Sequence, residues 1–321
     1  NILNYLNIDL HKELKSKYRF DCLRNLKIFH ITTEIIDIFK KNEIKSILLK
    51  GFALSELTTD SINGRDSGDI DILIEIDKLP IAIKLLENFG FIRMDNEFPK
   101  ELSSIFSYYS KFIYNEITLY KRTEIGIISV DLHWRLNYIR CNLPTFNDLI
   151  KRSTNLNINS YTFKTLSKRD SFFHSCMHAS CDEWKFFKHL IDIDRLSRNL
   201  YFKQDDLKHR YIQYSLYASF LLTRSEHIKC LININKISKK YILKTTYIKQ
   251  NYSRKEIKEK WHPLERIKYT MHFLLISGKS TDIIVVFLTS IIRPYDLSKI
   301  NGNNLFAIPF LLTKRLIRLI N

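Results

Sequence analysis

Glycine is scarce in this chain, 7 residues in 321, and none of the seven stands in a spacing that cradles phosphate on a glycine-rich loop. There is no Gly-x-Gly-x-x-Gly, no P-loop and no Gly-x-Ser-x-Gly, which removes the usual dehydrogenase, P-loop kinase and α/β-hydrolase readings. Cysteine is also sparse. Cys22, Cys141, Cys176, Cys181 and Cys230 are odd in number and lack the paired spacing of a disulfide framework or a cysteine zinc site, so reduced and mostly buried thiols are expected. Long apolar runs are missing: residues 283–292 are too few to span a bilayer and close on Arg293-Pro294, which reads as a buried helix. Residues 1–10 carry no basic region followed by an apolar run, which argues against a secretory signal and makes a cytoplasmic protein the expectation. No repeat or low-complexity segment is evident.

Acidic residues are outnumbered, 34 against 51 Lys and Arg, for a net charge of +17. The excess is uneven. Residues 201–321 hold 22 Lys and Arg against 8 Asp and Glu, or +14, leaving +3 for the first 200. A basic surface attracts nucleic acid, nucleotides or other anions over long range. A codon bias toward Lys, Ile and Asn produces the same excess, so charge alone selects no partner.

What is present is an apolar fraction of 45%, ample for one or two packed cores. Apolar residues at helical spacing, Leu23, Leu26, Phe29, Ile31, Ile35, Ile36 and Phe39, predict one or two helices within residues 1–43. A strand is predicted at 44–49, a helix from Gly51 through Leu57, a polar loop over 58–68, a strand from Asp69, a helix over 79–88 stopped by Gly90, and a short strand at 91–94. After a helical or irregular passage at 101–110, residues 112–120 and 126–134 read as a hairpin joined by 121–125. One more β-like piece lies near 161–163, and from Lys168 the spacing is mainly helical. The expected organisation is α+β: N-terminal helices over 1–43 packing on the core, a mixed-sheet domain over 44–165, and a basic helical domain over 166–321.

Gly68-Asp69-Ile70-Asp71-Ile72-Leu73-Ile74 carries the most chemistry. A strand holds residues two apart on one face, so Asp69 and Asp71 point one way while Ile70, Ile72 and Ile74 point into a core. Two adjacent carboxylates repel unless a cation or a proton compensates, so the pair reads as a divalent-metal site or as a solvated strand end. Gly51 sits where a strand turns into a helix, a place where exposed N–H groups suit phosphate oxygens.

Lys50-Gly51, then Arg65-Asp66-Ser67-Gly68-Asp69-Ile70-Asp71, then Val130-Asp131-Leu132-His133-Trp134-Arg135-Leu136 together resemble the nucleotidyltransferase superfamily that includes DNA polymerase beta. They are most similar to its uncharacterised bacterial family with a Leu-Lys-Gly start, an Arg before Asp-Ile-Asp and an Asp-Leu-His-Trp-Arg strand. The resemblance covers residues 45–136 and extends more weakly to His178 and residues 187–196. It implies a nucleotidyltransferase-like mixed sheet and transfer of a nucleoside monophosphate from a nucleoside triphosphate to an acceptor hydroxyl, with pyrophosphate leaving.

On that resemblance Asp69, Asp71 and Asp131 are the catalytic and metal-binding residues, with Mg2+ or Mn2+ as the cofactor. Lys50, Gly51, Arg65 and Ser67 are the nucleotide-binding residues. His133, Arg135 and His178 lie on the acceptor side, and His178 and Trp184 are candidates to line a cleft between the two parts. His133 could equally orient a carboxylate or pack at the strand end beside Trp134. The superfamily's usual Ser after the Gly is Phe52 here, so one hydroxyl contact to phosphate is missing, with Ser67 or Arg65 as its replacement. The acceptor is open: a small molecule, a peptide or protein, or an RNA end. A toxin-like transferase acting on tRNA and an inactive nucleotide- or partner-binding module are the alternatives.

Two lookalikes carry less. Ile191-Asp192-Ile193-Asp194 repeats the Asp-Ile-Asp spelling inside a helical run, where residues two apart diverge by about 200°, so Asp194 with Arg195 and Arg198 reads as a polar helix face. His174 and His178 have the spacing of a metal pair without an evident third ligand, which favours a buried or interfacial pair. The run at 305–320 reads as packing on the helical domain, since Pro309 interrupts any membrane-surface helix.

Overall fold

A computed structural model describes residues 8–65, 67–93, 114–137, 143–198, 200–233 and His272. Cys141, the segments read at 101–110, 283–292 and 305–320, and most of the basic stretch after residue 201 lie outside these residues.

The long helix α1 (Ile8–Lys41) leads into β1 (Ser46–Leu48), α2 (Gly51–Thr59), β2 (Asp69–Ile74), a 3-10 turn at Ile76–Lys78, α3 (Leu79–Asn88) and β3 (Ile92–Arg93). The hairpin β4 (Glu116–Thr123) and β5 (Gly126–His133) follows, then α4 (Phe146–Arg152) and a second hairpin, β6 (Thr154–Ile158) and β7 (Tyr161–Thr165). These seven strands form one mixed sheet in the order β3-β4-β5-β2-β1-β7-β6. The remainder is helical: α5 (Lys168–Cys181), α6 (Phe187–Ser197), a 3-10 turn at Asp206–Lys208, α7 (Arg210–Thr223) and α8 (Glu226–Leu231). No helix among the described residues is long and apolar enough to cross a membrane.

Two compact units divide the chain. The first takes in the described residues up to Arg93, Thr118–Trp134 and Phe146–Ser167; the second takes in the described residues of Met94–Ile117, of Arg135–Thr145 and from Lys168 onward.

In the first unit, β2 is the central strand. It runs antiparallel to β1, with Leu48 opposite Ile72, and parallel to β5, with Asp71 opposite Asp131. Both faces are covered, so Asp71 is as buried as Ile70, Ile72, Leu73 and Ile74. That is why the strand reads as nearly continuous apolar sequence. The α1 face packed in this unit carries Asn25, Ile28, Thr32, Ile35 and Phe39, spaced three or four apart. Leu23 and Leu26, expected on that stripe, are instead exposed, because at this end of the helix the contacting positions are polar. Arg24 donates to the Gly68 carbonyl at 2.9 Å, while Asn25 donates to the Arg65 carbonyl at 3.2 Å and accepts the Ser67 N–H at 3.3 Å. The polar loop before β2 is thereby tied to a helix more than thirty residues earlier in the chain.

The first hairpin differs from its sequence reading. Its turn is Glu124-Ile125 rather than 121–125, with Gly126 at φ +111°. Placing Thr123 opposite Gly126 brings Thr118 opposite Asp131, and their side chains meet. The β-like piece near 161–163 is one arm of a second hairpin whose other arm, β6, pairs from Thr154 with Thr165 to Ile158 with Tyr161. β7 also lies parallel to β1, with Leu48 opposite Thr165.

The second unit packs α5, α6 and α7 through small polar contacts. Ser215 Oγ donates to the Cys176 carbonyl at 2.9 Å, Trp184 Nε1 donates to Ser215 Oγ at 2.9 Å, and Ser219 Oγ donates to the Leu190 carbonyl at 2.6 Å. Trp184 is 1% exposed, stacked on Tyr214 with His272 against its edge. It belongs to the core of this unit, which corrects its reading as a cleft-lining residue.

Candidate active site

Parallel pairing of β2 with β5 sets Asp71 and Asp131 side by side, and the two-residue period adds Asp69 on the same face. One carboxylate oxygen from each of the three lies within 4.8 Å of the others. Asp69 and Asp131 are partly accessible, whereas Asp71 is 4% exposed. The Asp71 carboxylate is split between two tasks. Lys50 Nζ donates to its Oδ1 at 2.9 Å, and His133 Nε2, facing the same oxygen at 3.0 Å, supplies a second N–H. Its Oδ2 is buried and has no hydrogen-bond partner among the described residues.

Burial pushes the Asp71 carboxyl upward, but the Lys50 ammonium and the His133 hydrogen bond outweigh it and hold the group well below the usual carboxylate range. Asp71 is therefore an anion at neutral pH. An ionised, buried oxygen without a donor, beside two further carboxylates, is what a hard divalent cation requires. The residues present thus fit the metal that this chemistry implies.

Asp131 is held from the other side, where Thr118 Oγ1 donates to its Oδ1 at 2.6 Å. Gly51 opens α2 at φ +60°, a left-handed conformation that favours glycine. The space a Cβ there would take is 3.5 Å from Ser67 Oγ, itself buried and without a hydrogen-bond partner among the described residues. Ser67, the candidate replacement hydroxyl, therefore stands next to the strand-to-helix turn. Arg65 is buried in the loop that Asn25 holds. Phe52 turns into the core, edge-on to Phe29 at 5.3 Å and to Phe163 at 5.6 Å.

Residues 1–225 match the family described as uncharacterised nucleotidyltransferase. The chain belongs to that family. Nucleotidyl transfer is the general activity that membership carries, and a nucleoside triphosphate is the substrate it implies. No curated protein matches the chain. Among solved structures, an antigenic nucleotidyltransferase-like protein from Paracoccidioides brasiliensis is similar at 14% identity and a TM-score of 0.38, over 67% of this chain and 94% of that one.

For this family member the structure gathers Asp69, Asp71, Asp131, Lys50 and His133 around one point, with Gly51 and Ser67 in contact range of each other beside β2. Arg135 and His178 belong to the second unit. β5 ends at His133, so Arg135 does not continue the strand face; its Nη2 donates to the Tyr114 carbonyl. Among residues that sequence reasoning passed over, Thr118 and Asn25 matter most. Thr118 was findable by counting back from a two-residue turn at Glu124-Ile125. Asn25 left one trace, a buried-face position in α1 filled by a polar residue. The lookalike pair is corrected in one respect: Asp192 and Asp194 are 2% and 4% exposed, so they are buried in α6 rather than on a polar face, with Asp194 Oδ2 accepting from Arg198 at 2.6 Å.

Proposed function

We propose that this chain moves a nucleoside monophosphate from a nucleoside triphosphate to an acceptor hydroxyl, with Mg2+ or Mn2+ held by Asp69, Asp71 and Asp131. The observation that carries the reading is the convergence of three carboxylates within 4.8 Å from two parallel strands, one of them offering a buried, donorless oxygen. Magnesium bound there supplies Lewis-acid neutralisation of the triphosphate oxygens under attack and departing.

Each residue of the chain has a definable part. Asp69 and Asp71 hold the cation that accompanies the triphosphate, and His133 fixes the Asp71 plane through Oδ1. Lys50 neutralises Asp71 and lies at the same end of β1 where Gly51 begins a helix, so its ammonium and the first N–H groups of α2 are disposed toward phosphate oxygens. Asp131, steadied by Thr118, accepts the proton of the incoming hydroxyl. That oxygen forms a bond to the α-phosphorus as the bond to the β-phosphate oxygen breaks and pyrophosphate departs. The acceptor hydroxyl can belong to a small molecule, a peptide or protein, or an RNA end.

Calorimetric titration with ATP, CTP, GTP and UTP in the presence of Mg2+, on the wild type and on Asp69→Asn/Asp71→Asn, tests the site. At least one nucleotide should bind the wild type with metal-dependent affinity that the double variant loses. Equal binding to both proteins would remove the metal assignment.

Thr118 gives a finer expectation. Thr118→Val keeps the shape of the side chain and deletes its hydroxyl, so kcat should fall about 10- to 100-fold, the range for outer partners of metal ligands, while KM stays close to wild type. Thr118→Ser should recover most of the loss in the same steady-state assay.

A further inference from the structure

A second cluster lies in the helical unit. His178 stands in the last turn of α5, Asp182 follows in the turn, and His189 opens α6. One ligand atom from each lies within 4.8 Å of the others. We infer that His178, Asp182 and His189 form a binding site for a borderline transition-metal ion of the Zn2+ class, with three protein ligands and one open position.

The distances support coordination over ion pairing. Asp182 Oδ2 is 3.7 Å from His178 Nε2 and 3.6 Å from His189 Nδ1, both beyond ordinary hydrogen-bond range. A tetrahedral ion with bonds of about 2.0–2.2 Å separates its ligands by about 3.3–3.5 Å, so small shifts of the side chains complete the shell. Lys185 Nζ lies 3.9 Å from Asp182 Oδ1, the other oxygen of the carboxylate from the one that the two imidazoles face. Neutral imidazole is the form that ligates metal.

The cluster also spans a turn with Glu183 and Trp184 both at φ 54°, a conformation costly for side chains of that size. An ion joining α5 to α6 across that turn would hold it. Two imidazoles and a carboxylate prefer Zn2+, Co2+ or Ni2+ over Mg2+, which separates this site chemically from the all-oxygen cluster on β2 and β5.

The test uses the full chain, stripped with EDTA and returned to excess Mg2+ so that the carboxylate cluster is occupied. Zn2+ is titrated by calorimetry and Co2+ by visible absorption. One equivalent of Zn2+ should bind the wild type and also Asp69→Asn/Asp71→Asn. Affinity should drop more than about 100-fold in Asp182→Asn and in His178→Gln, since even outer-shell partners of a metal ligand are worth 10- to 100-fold. Asp182→Cys should keep a four-coordinate Co2+ spectrum and add a sulfur-to-cobalt charge-transfer band, a signature that a merely structural role would not produce. Wild-type chain that takes no Zn2+ against Mg2+, unchanged affinity in Asp182→Asn, or an Asp182→Cys protein without the sulfur band would each overturn the assignment.

Discussion

Asp71→Asn should lower nucleotide transfer by at least about 10²- to 10³-fold, the size of losing one well-placed charge-stabilising group, and it should also weaken the fold. The two effects share a cause. Lys50 and His133 both lean on Asp71 Oδ1 in a setting where the His133 and Asp71 side chains are nearly inaccessible. Removing the anion takes the Asp71 charge away from Lys50 and His133, and breaking a buried charge pair costs up to about 3–5 kcal/mol. Asp69→Asn, at a partly accessible position, should show the activity loss with a much smaller thermal shift. Pyrophosphate release and a melting curve on both variants separate the roles.

The sign of the pH dependence follows from the lowered Asp71 carboxyl. A depressed native pKa contributes stability that is fully present above the unfolded value of about 3.9 and is lost as pH falls through the lower folded value. Wild type should therefore shed this contribution only below about pH 4, and Asp71→Asn should lack that segment of the acid-unfolding slope.

Phe52→Ser should do the opposite of what the superfamily resemblance suggests. Restoring the usual Ser beside Gly51 would look like a gain of a phosphate contact. Yet Phe52 is 3% exposed and sits in a cluster with Phe29 and Phe163 that joins α1, α2 and β7. Truncating a buried Phe costs about 3–5 kcal/mol, and a hydroxyl left in that apolar space adds to the loss. At about 2–4 °C per kcal/mol for a unit of this size, the melting temperature should drop by roughly 10 °C, with no gain in nucleotide affinity by calorimetry. Tighter nucleotide binding in Phe52→Ser would mean that position 52 faces phosphate after all.

Much of the carboxylate cluster was readable because a strand has an exact two-residue rhythm. Asp69-Ile70-Asp71 and Asp131-Leu132-His133 each fix a face, and the helix stop at Gly90 fixes the end of α3. β6 was missed because Thr154-Asn155-Leu156-Asn157-Ile158 is rich in a residue that disfavours strands; pairing with β7 overrides that preference. Lys50 on Asp71, Asn25 on the Arg65 loop and Thr118 on Asp131 were illegible for a different reason. Each is a meeting of residues far apart in sequence, decided by sheet order and register. His189 as a third neighbour of His178 was hidden likewise, because a non-helical turn separates the two.

The placement of β2 in mid-sheet also bears on how the chain is made. β1 and β2 can pair as soon as Ile74 has been synthesised, but their outer edges wait for partners at Ser129–His133 and Thr165. At about 5–20 residues per second, that leaves several seconds in which two apolar strands lie open to other chains. Charged side chains on an edge discourage such pairing. Asp69 and Asp71 place two carboxylates on a strand whose outer edge stays open until Ser129–His133 pair with it.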